Sequence, residues 1–357
     1  MKHKYKIIVY AICKNEEKFI KRWINSMKEA DDIYVLDTGS TDNSVKLLKE
    51  GKVHVTQKQI NPFRFDTARN ESLKLVPEDT DICVCTDIDE VFNKGWRNLL
   101  EQNWENDLTR VKYKMNWSFD ENNKPQITYY QSKIHTRYDY IWTHPVHEVI
   151  ENINNNEKVK TINNLTINHY PDKTKSRNSY LPLLELAVKE NNKDDRNMHY
   201  LGREYMYYHK NNKAIKTLKK HLKLKSSTWK EERATSMRFI ARCYNRQNKL
   251  KKAEKWYNKS IKEAPNLRDS YVEKALLEYT KKEYDKVIDL CTKALSIKNN
   301  NKYINESFSY DGTIEDLLSL CYYYKKNKEL ALYYIEKAIA KKPNDKRLKT
   351  NKEYFKD

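Results

Sequence analysis

The sequence predicts an α/β domain followed by an all-α domain of helical repeats. In the first half of the 357 residues, short apolar runs alternate with segments of helical periodicity. That alternation is typical of a parallel sheet with helices on both faces. In the second half, amphipathic helices recur in pairs, and a polar joint over residues 172–178 separates the two halves. We therefore predict two domains, residues 1–178 and residues 179–357.

The paired helices recur at a nearly regular interval. A small apolar residue anchors the second helix of each pair, and the anchors are Ala214, Ala253, Val287 and Ala331. Their spacing, roughly 34 to 44 residues, is close to the period of about 34 that helical-hairpin repeats show. Such hairpins bury their apolar faces only by stacking into a solenoid. We expect the concave side of that solenoid to offer a groove for a peptide.

The net charge of +19 comes from lysines spread through every segment. This distribution favours an ordinary solvated surface, which would also steer an anionic nucleotide towards the protein. No cluster of basic residues with interleaved aromatic residues is evident, which disfavours nucleic-acid binding. None of the six cysteines forms a Cys-x-x-Cys pair, so neither a disulfide framework nor a zinc site is indicated. No apolar run is long enough for a signal peptide or a membrane span, and we expect a cytoplasmic protein.

Polar residues follow the first predicted strands. The strand Lys6–Ile12 leads into Lys14 and Glu16, and the strand Ile33–Leu36 leads into Asp37. Ligands of such sheets bind beyond the carboxyl ends of the strands. Farther along, Arg69 lies in a predicted helix near the same edge, where it could bind a phosphate. The alternative is that Arg69 is an ordinary surface arginine.

A dense acidic cluster ends the next strand, Ile82–Cys85, in the stretch DICVCTDIDEVF. Three carboxylates within four residues repel each other, so a positive charge is expected among them. If the strand continues, Asp87 and Asp89 point the same way and can converge on one cation. Two hard oxygen ligands suit Mg²⁺ or Mn²⁺. The alternative is that one of the two aspartates caps a helix that begins there.

A second polar cluster lies between residues 140 and 149, after two predicted antiparallel strands at Arg110–Trp117 and Ile127–Ser132. It contains Trp142, two histidines and Glu148, and its alternative interpretation is an edge strand with mixed faces. A further short strand, Leu165–Asn168, delivers His169 to its end. A single histidine is more often a satisfied polar residue than a metal ligand.

Taken together, residues 7–180 resemble the family-2 glycosyltransferases of GT-A fold. Six stretches match in order and spacing: ICKNEEKFI, IYVLDTGSTDNS, FDTARNES, CTDIDEVF, PVHEVIE and INHYPDKTKSRN. The remaining half resembles TPR-type hairpins. Similar fused enzymes include bacterial peptide and protein glycosyltransferases. The glycine-rich acceptor loop usual in the family is not evident in this chain of five glycines.

The resemblance implies a role for each candidate residue. Ala11, Lys14, Glu16 and Asp37 would hold the nucleoside, and Arg69 would lie near its base or diphosphate. In the DxD motif, Asp89 would bind the metal and Asp87 the ribose or a metal-bound water, with His169 completing the metal sphere. Glu148 takes the place of the general base of inverting enzymes, which deprotonates the acceptor.

The sequence thus predicts a hexosyltransferase that uses Mn²⁺ or Mg²⁺ and a nucleotide-sugar donor, with UDP expected as the nucleotide. The expected acceptor is a peptide or protein held partly by the TPR-like domain. Two alternatives are transfer to a cell-surface or lipid-linked saccharide, and a TPR scaffold that carries an inactive transferase domain. The intact carboxylates Asp87, Asp89 and Glu148 argue against the scaffold. Whether the chain forms a homo-oligomer stays open.

Overall fold

The computed structural model describes residues 3–172, 180–298 and 304–356. The chain divides into two compact units, one of Met1–Ser118 with Thr128–Ser179 and one of Phe119–Ile127 with Tyr180–Asp357. The boundary predicted between residues 178 and 179 falls outside the described residues and stays a prediction.

The first unit is an α/β structure whose early elements follow the predicted alternation. Its strands are β1 (Ile7–Cys13), β2 (Asp32–Asp37), β3 (His54–Gln57), β4 (Ile82–Cys85), β5 (Glu90–Phe92), β6 (Arg110–Phe119), β7 (Pro125–Thr136), β8 (Tyr140–Thr143), β9 (Val149–Asn152) and β10 (Val159–His169). Its helices are α1 (Glu17–Met27), α2 (Ser44–Glu50), α3 (Phe65–Lys74) and α4 (Trp96–Asn103).

Eight of these strands form one sheet in the order β3-β2-β1-β4-β7-β6-β10-β5, while β8 and β9 form a separate hairpin. The pairs around β1 are parallel, whereas β4 pairs antiparallel with β7 and β10 antiparallel with β5. The sheet is therefore parallel around β1, as the strand–helix alternation predicted, and mixed beyond β4, where antiparallel strands were predicted. The polar residues after β1, β2 and β4 still lie at one edge, because those three strands are parallel.

The sheet must curl, because β4 and β5 lie four strand positions apart but are joined by a short turn. In a flat sheet those positions would be about 19 Å apart. The five Cα steps from Cys85 to Glu90 span at most about 17 Å when fully extended. Two turn residues shorten this link further. The residues between β4 and β5 thus close the curled sheet.

The centre of the sheet is apolar because β1 and β4 are buried on both faces. Every residue of β4 is fully buried, and so are Ile7, Val9 and Ala11 of β1. Helix α1 packs Ile20, Trp23 and Met27 against the sheet, as expected from their helical spacing. This core holds the ends of the parallel strands in place.

Three elements in this unit were not predicted, and one prediction was wrong. The short strands β5 and β9 and helix α4 carry too few residues for a clear periodic pattern. Asp87 and Asp89 do not lie on a continued strand, because β4 ends at Cys85 and a turn follows. No helix begins at this turn either, so the capping alternative also fails. The next helix starts at Trp96.

The second unit is built of antiparallel helix pairs. Its helices are α5 (Tyr180–Glu190), α6 (Asp195–Tyr207), α7 (Asn211–His221), α8 (Lys230–Arg246), α9 (Leu250–Glu263), α10 (Arg268–Thr280), α11 (Tyr284–Ser296), α12 (Thr313–Tyr324), α13 (Lys328–Lys341) and α14 (Lys346–Lys356), with a short 3₁₀ turn at Ser307–Ser309. The pairs α6–α7, α8–α9, α10–α11 and α12–α13 pack against each other. The four predicted anchors are all fully buried.

Close packing within the first pair depends on a glycine. A methyl group added to Gly202 of α6 would lie 2.4 Å from Cδ2 of Leu218 on α7. The two helices therefore approach each other more closely than a larger residue would allow.

All six cysteines are buried and unpaired. In the described part of the chain, no helix combines the length and apolar character that crossing a lipid bilayer requires.

Candidate active site

The acidic turn between β4 and β5 is held by two basic side chains. Arg69 Nη2 donates to Asp87 Oδ1 at 2.5 Å, and Lys133 Nζ donates to Asp87 Oδ2 at 2.8 Å. Lys133 also lies 3.3 Å from Oε1 of Glu90, a carboxylate that is only 2% exposed. Arg69 and Lys133 therefore supply the positive charge that was expected among these carboxylates.

These charges shift one another's protonation equilibria. Burial alone would raise the pKa of Asp87, but the nearby Arg69 and Lys133 charges lower that pKa far below its ordinary range. Burial lowers the pKa of Arg69, but Asp87, Cys85 and Glu148 outweigh it, so the net pKa of the guanidinium is well above normal. Asp87, Arg69 and Lys133 are therefore all charged at neutral pH.

Arg69 also binds Glu148, which joins the acidic turn to the second polar cluster. Its Nε donates to Glu148 Oε1 at 2.6 Å, while its guanidinium lies 5.0 Å above the ring of Trp142. The Arg69 side chain is 3% exposed and the Glu148 side chain 12%. The described residues offer no hydrogen-bond partner to Glu148 Oε2. One buried cation thus fixes one oxygen of Glu148 and leaves the other oxygen without a ligand from the described part of the chain.

Helix α3 positions this pair by docking the β8–β9 hairpin. The amide of Asn70, next to Arg69, exchanges two hydrogen bonds with the backbone of Trp142, at 2.8 and 2.9 Å. The amide of Phe65 donates to the carbonyl of Pro145 at 2.9 Å. Trp142 is 2% exposed, so its ring packs against the Arg69 guanidinium and does not line an open pocket.

The loop that carries Glu148 contains two strained residues. His144 has φ of 73° and His147 has φ of 54°, both in the left-handed region. For residues other than glycine this conformation costs of order 1 kcal/mol or more each, and such strain clusters at functional sites. Both histidines make further contacts.

Asp89 faces His169 on the other side of the turn. His169 Nδ1 donates to the carbonyl of Trp117 at 3.2 Å, and the ring stacks on Trp117 with centroids 4.1 Å apart. With Nδ1 donating, the neutral ring carries its lone pair on Nε2, which lies 3.3 Å from Asp89 Oδ2, whereas the protonated ring donates from Nε2 to that carboxylate. Burial lowers the pKa of His169, but its hydrogen bond to Asp89 and that residue's charge raise it above the ordinary value overall.

The Asp89–His169 pair fits a divalent metal ion, whereas the Asp87 carboxylate is bound by Arg69 and Lys133 in this structure. Two acceptor atoms 3.3 Å apart need a proton or a cation between them, and about 3 Å is the separation of neighbouring ligands around Mg²⁺ or Mn²⁺. A backbone carbonyl that holds the second ring nitrogen is usual for a metal-bound histidine. Both oxygens of Asp87 are already paired with cations, and the three predicted ligands do not converge within 4.8 Å of one another. The role of Asp87 as a metal ligand therefore stays a prediction.

The residues predicted to hold the nucleoside lie in different environments. Ala11 is fully buried in the core, so its side chain faces no cleft. Asp37 is also fully buried, and its carboxylate accepts from the amides of Gly39 and Ser40 in the following loop. Lys14 is exposed and Glu16 half-buried, both on the loop after β1. This loop is tied to the loop after β2 by the bond from the Asn15 amide to Ser40 Oγ, at 2.9 Å, and to the start of α2 by the bond from the Glu16 amide to Ser44 Oγ, at 2.8 Å.

Sequence reasoning missed Lys133 and the role of Glu90. The predicted strand stopped at Ser132, whereas β7 extends to Thr136 and brings Lys133 to the site. A signal was present, because Gln131, Lys133 and His135 alternate at the period of a strand. All three contact residues of the sheet's interior: Gln131 and Lys133 reach Glu90, and His135 Nε2 accepts from Tyr10 at 2.8 Å.

The fold and the acidic turn together define a class of protein, an enzyme domain of GT-A fold. Residues 8–153 match the family model described as glycosyl transferase family 2. The chain therefore contains a family-2 glycosyltransferase domain, and the protein is a glycosyltransferase. The match includes Arg69, the acidic turn, Lys133 and Glu148, but ends before His169.

Solved structures similar to this chain each cover about half of it. MamA shares 20% identity, covers 50% of this chain and 99% of its own, and has a TM-score of 0.38. The TPR protein TTC0263 of Thermus thermophilus shares 19% identity, with 50% and 89% covered and a TM-score of 0.37. PilF of Pseudomonas aeruginosa shares 13% identity, with 48% and 72% covered and a TM-score of 0.40. No curated protein sequence matches the chain.

Proposed function

We propose that the protein transfers a sugar, with inversion, from a UDP-linked donor to a peptide or protein acceptor, and that Mn²⁺ or Mg²⁺ assists. The observation that carries this proposal is Arg69, which binds Glu148 and the acidic turn at once. A catalytic base and a diphosphate site must lie close together for in-line displacement at the anomeric carbon. Arg69 brings these two parts together.

Glu148 is the proposed general base. Because Arg69 holds its Oε1, the carboxylate is oriented and Oε2 can accept the proton of the acceptor nucleophile. The acceptor would then attack the anomeric carbon from the face opposite the leaving nucleoside diphosphate, which inverts the configuration there.

Asp89 and His169 are the proposed metal ligands. The bound metal would supply charge that neutralises the leaving diphosphate. Arg69 and Lys133 lie beside this position and stabilise negative charge in the same region. Lys14 and Glu16, on the loop after β1, are the proposed contacts for the nucleoside. Asp37 is proposed to support this part of the site by fixing the loop after β2.

The acceptor proposal rests on the second unit. Stacked helical hairpins present an extended surface, which is the usual way such repeats hold a peptide. Peptide and saccharide acceptors are distinguished by mass spectrometry of the products formed with each class.

The test separates binding from turnover with two substitutions. A panel of nucleotide sugars, with and without Mn²⁺, identifies the donor by calorimetry. Glu148→Gln should bind that donor normally and lose about 10²- to 10⁴-fold in turnover. Asp89→Asn should lose the metal-dependent part of donor binding. Glu151→Gln, on an exposed position of the same hairpin, is the matched control and should change neither quantity.

Normal turnover in Glu148→Gln would remove Glu148 from its role. Unchanged metal-dependent affinity in Asp89→Asn would contradict the metal assignment. If no nucleotide sugar binds, the transfer reaction itself is refuted.

A further inference from the structure

The exposed surface of α7 and α9 concentrates the positive charge of the chain. Residues 211–263 contain 17 Lys and Arg residues and only 4 Asp and Glu residues. They therefore account for +13 of the net charge of +19. We define the basic face by the exposed lysines of the two helices: Lys213, Lys216, Lys220, Lys251, Lys252, Lys255, Lys259 and Lys262. Lysines occur in every segment of the sequence, but this segment is thus far more basic than the rest of the chain.

The basic face is not neutralised by neighbouring carboxylates. Helix α7 contains no acidic residue, and α9 contains two. Glu254 pairs at 2.7 Å with Lys281, which directly follows α10, and Glu263 pairs at 2.6 Å with Arg233 of α8. The lysines of the basic face therefore keep their charge available for a partner.

Two aromatic rings join α7 and α9 into one surface. Lys219 of α7 lies 5.7 Å from the ring centres of both Tyr244 and Trp256. Lys259 covers Trp256 at 4.4 Å, and Lys252 lies 5.8 Å from Tyr244. The rings are therefore covered by ammonium groups and lie among them.

The arrangement of lysines and aromatic rings favours one class of anionic partner over another. Proteins that bind single-stranded nucleic acid stack bases on aromatic faces, but lysines cover these two rings. Helices α7 and α9 contain no arginine, the residue best suited to bidentate phosphate contacts. A surface of anionic lipid headgroups needs neither feature, because it attracts a group of exposed lysines electrostatically.

We propose that the basic face binds an anionic membrane surface. The membrane attracts the ammonium groups of both helices at once, and a shallow depression on α9 receives a headgroup phosphate. That depression is lined by Lys251, Lys255, Lys259 and Lys262, with Glu254 and Asn258. Binding is peripheral and weakens as salt screens the charges. It does not depend on the proposed transfer reaction.

The test is sedimentation of the full chain with lipid vesicles at physiological ionic strength. Vesicles that contain phosphatidylglycerol should bind the protein, and vesicles of phosphatidylcholine alone should not. The key variant replaces Lys216, Lys220, Lys251 and Lys255 by Gln. All four are exposed, and glutamine keeps the helix propensity. At about fivefold per lysine, the variant should bind several hundred-fold more weakly.

A matched control separates the basic face from net charge alone. It replaces Lys293, Lys298, Lys346 and Lys349, which are exposed elsewhere in the helical unit, by Gln. This control loses the same charge and should bind vesicles nearly as well as the unsubstituted chain. Circular dichroism is used to check that both variants fold.

Three outcomes would overturn the proposal. The unsubstituted chain fails to bind phosphatidylglycerol vesicles, or both variants lose binding equally, or the chain binds single-stranded RNA more tightly than vesicles at the same salt. The last outcome would assign the basic face to nucleic acid.

Discussion

Replacing Arg69 by Met tests the ion pairs that hold the site together. Methionine fills a similar volume but removes the charge that Glu148 and Asp87 share. We expect the sheet unit to lose about 3 kcal/mol of unfolding free energy, the lower end of the range for breaking one side of a buried ion pair.

The magnitude comes mainly from Glu148. Its side chain is 12% exposed, and Arg69 Nε is its hydrogen-bond donor at 2.6 Å. Asp87 contributes less, because it keeps Lys133 at 2.8 Å and its side chain is 35% exposed. Loss of the contact between Arg69 and the Trp142 ring adds a smaller amount, of order 1 kcal/mol.

Urea unfolding followed by hydrogen exchange and mass spectrometry is the suitable assay, because peptides from the sheet unit are measured separately from helical ones. The double variant Arg69→Met with Glu148→Gln leaves no uncompensated charge at position 148. It should therefore be more stable than the sum of the single changes predicts, by about 1.5–3 kcal/mol. Arg69→Lys should recover only part of the loss, because one ammonium group cannot replace the fork that contacts both carboxylates.

A loss below about 0.5 kcal/mol in Arg69→Met would refute this reasoning, since it would mean that solvent already satisfies Glu148. Strict additivity in the double variant would equally show that Arg69 and Glu148 are not coupled.

Two further predictions concern pH and packing. Burial lowers the pKa of His199, on helix α6, to about 3, whereas the pKa in the unfolded chain is about 6.5. As the pH falls below 6.5, His199 therefore stays neutral in the folded state and gains a proton in the unfolded state. Titration of His199 therefore leaves the unfolding free energy of the helical unit unchanged above pH 6.5 and lowers it by about 1.4 kcal/mol per pH unit below pH 6.5. His199→Gln should remove this pH dependence from urea unfolding of the helical peptides. An unchanged pH dependence in the variant would contradict the prediction. Gly202→Ala should destabilise α6 and α7 by about 1–3 kcal/mol through the clash with Leu218, and adding Leu218→Ala should relieve the clash; strictly additive losses in the double variant would show that the two helices can separate freely.

The sequence predicted elements where the pattern is local. Strand β4 was predicted with its observed bounds, because four buried apolar residues end abruptly in charge. The helix pairs were predicted from their spacing, and their anchors are buried as expected. Strand β5 was missed because three residues give no period, and its pairing with β10 joins residues that lie far apart in the chain.

The site was predicted in its residue types more than in its contacts. Asp89 and His169 were expected together and lie 3.3 Å apart. The charge partners of Asp87 could not be assigned from sequence, because Lys133 arrives on an antiparallel strand whose register only the fold determines. The contact of Ala11 with the nucleoside stays a prediction, and the burial of its side chain leaves only its backbone for such a contact.

The closure of the sheet by the turn between Cys85 and Glu90 limits how this enzyme can be altered. The same few residues carry the acid groups and tie the middle of the sheet to its far edge. Shortening that segment would prevent β5 from pairing with β10, so we expect activity and folding to be lost together. An inactive but folded variant must therefore be made by substituting side chains and not by deleting residues from the turn.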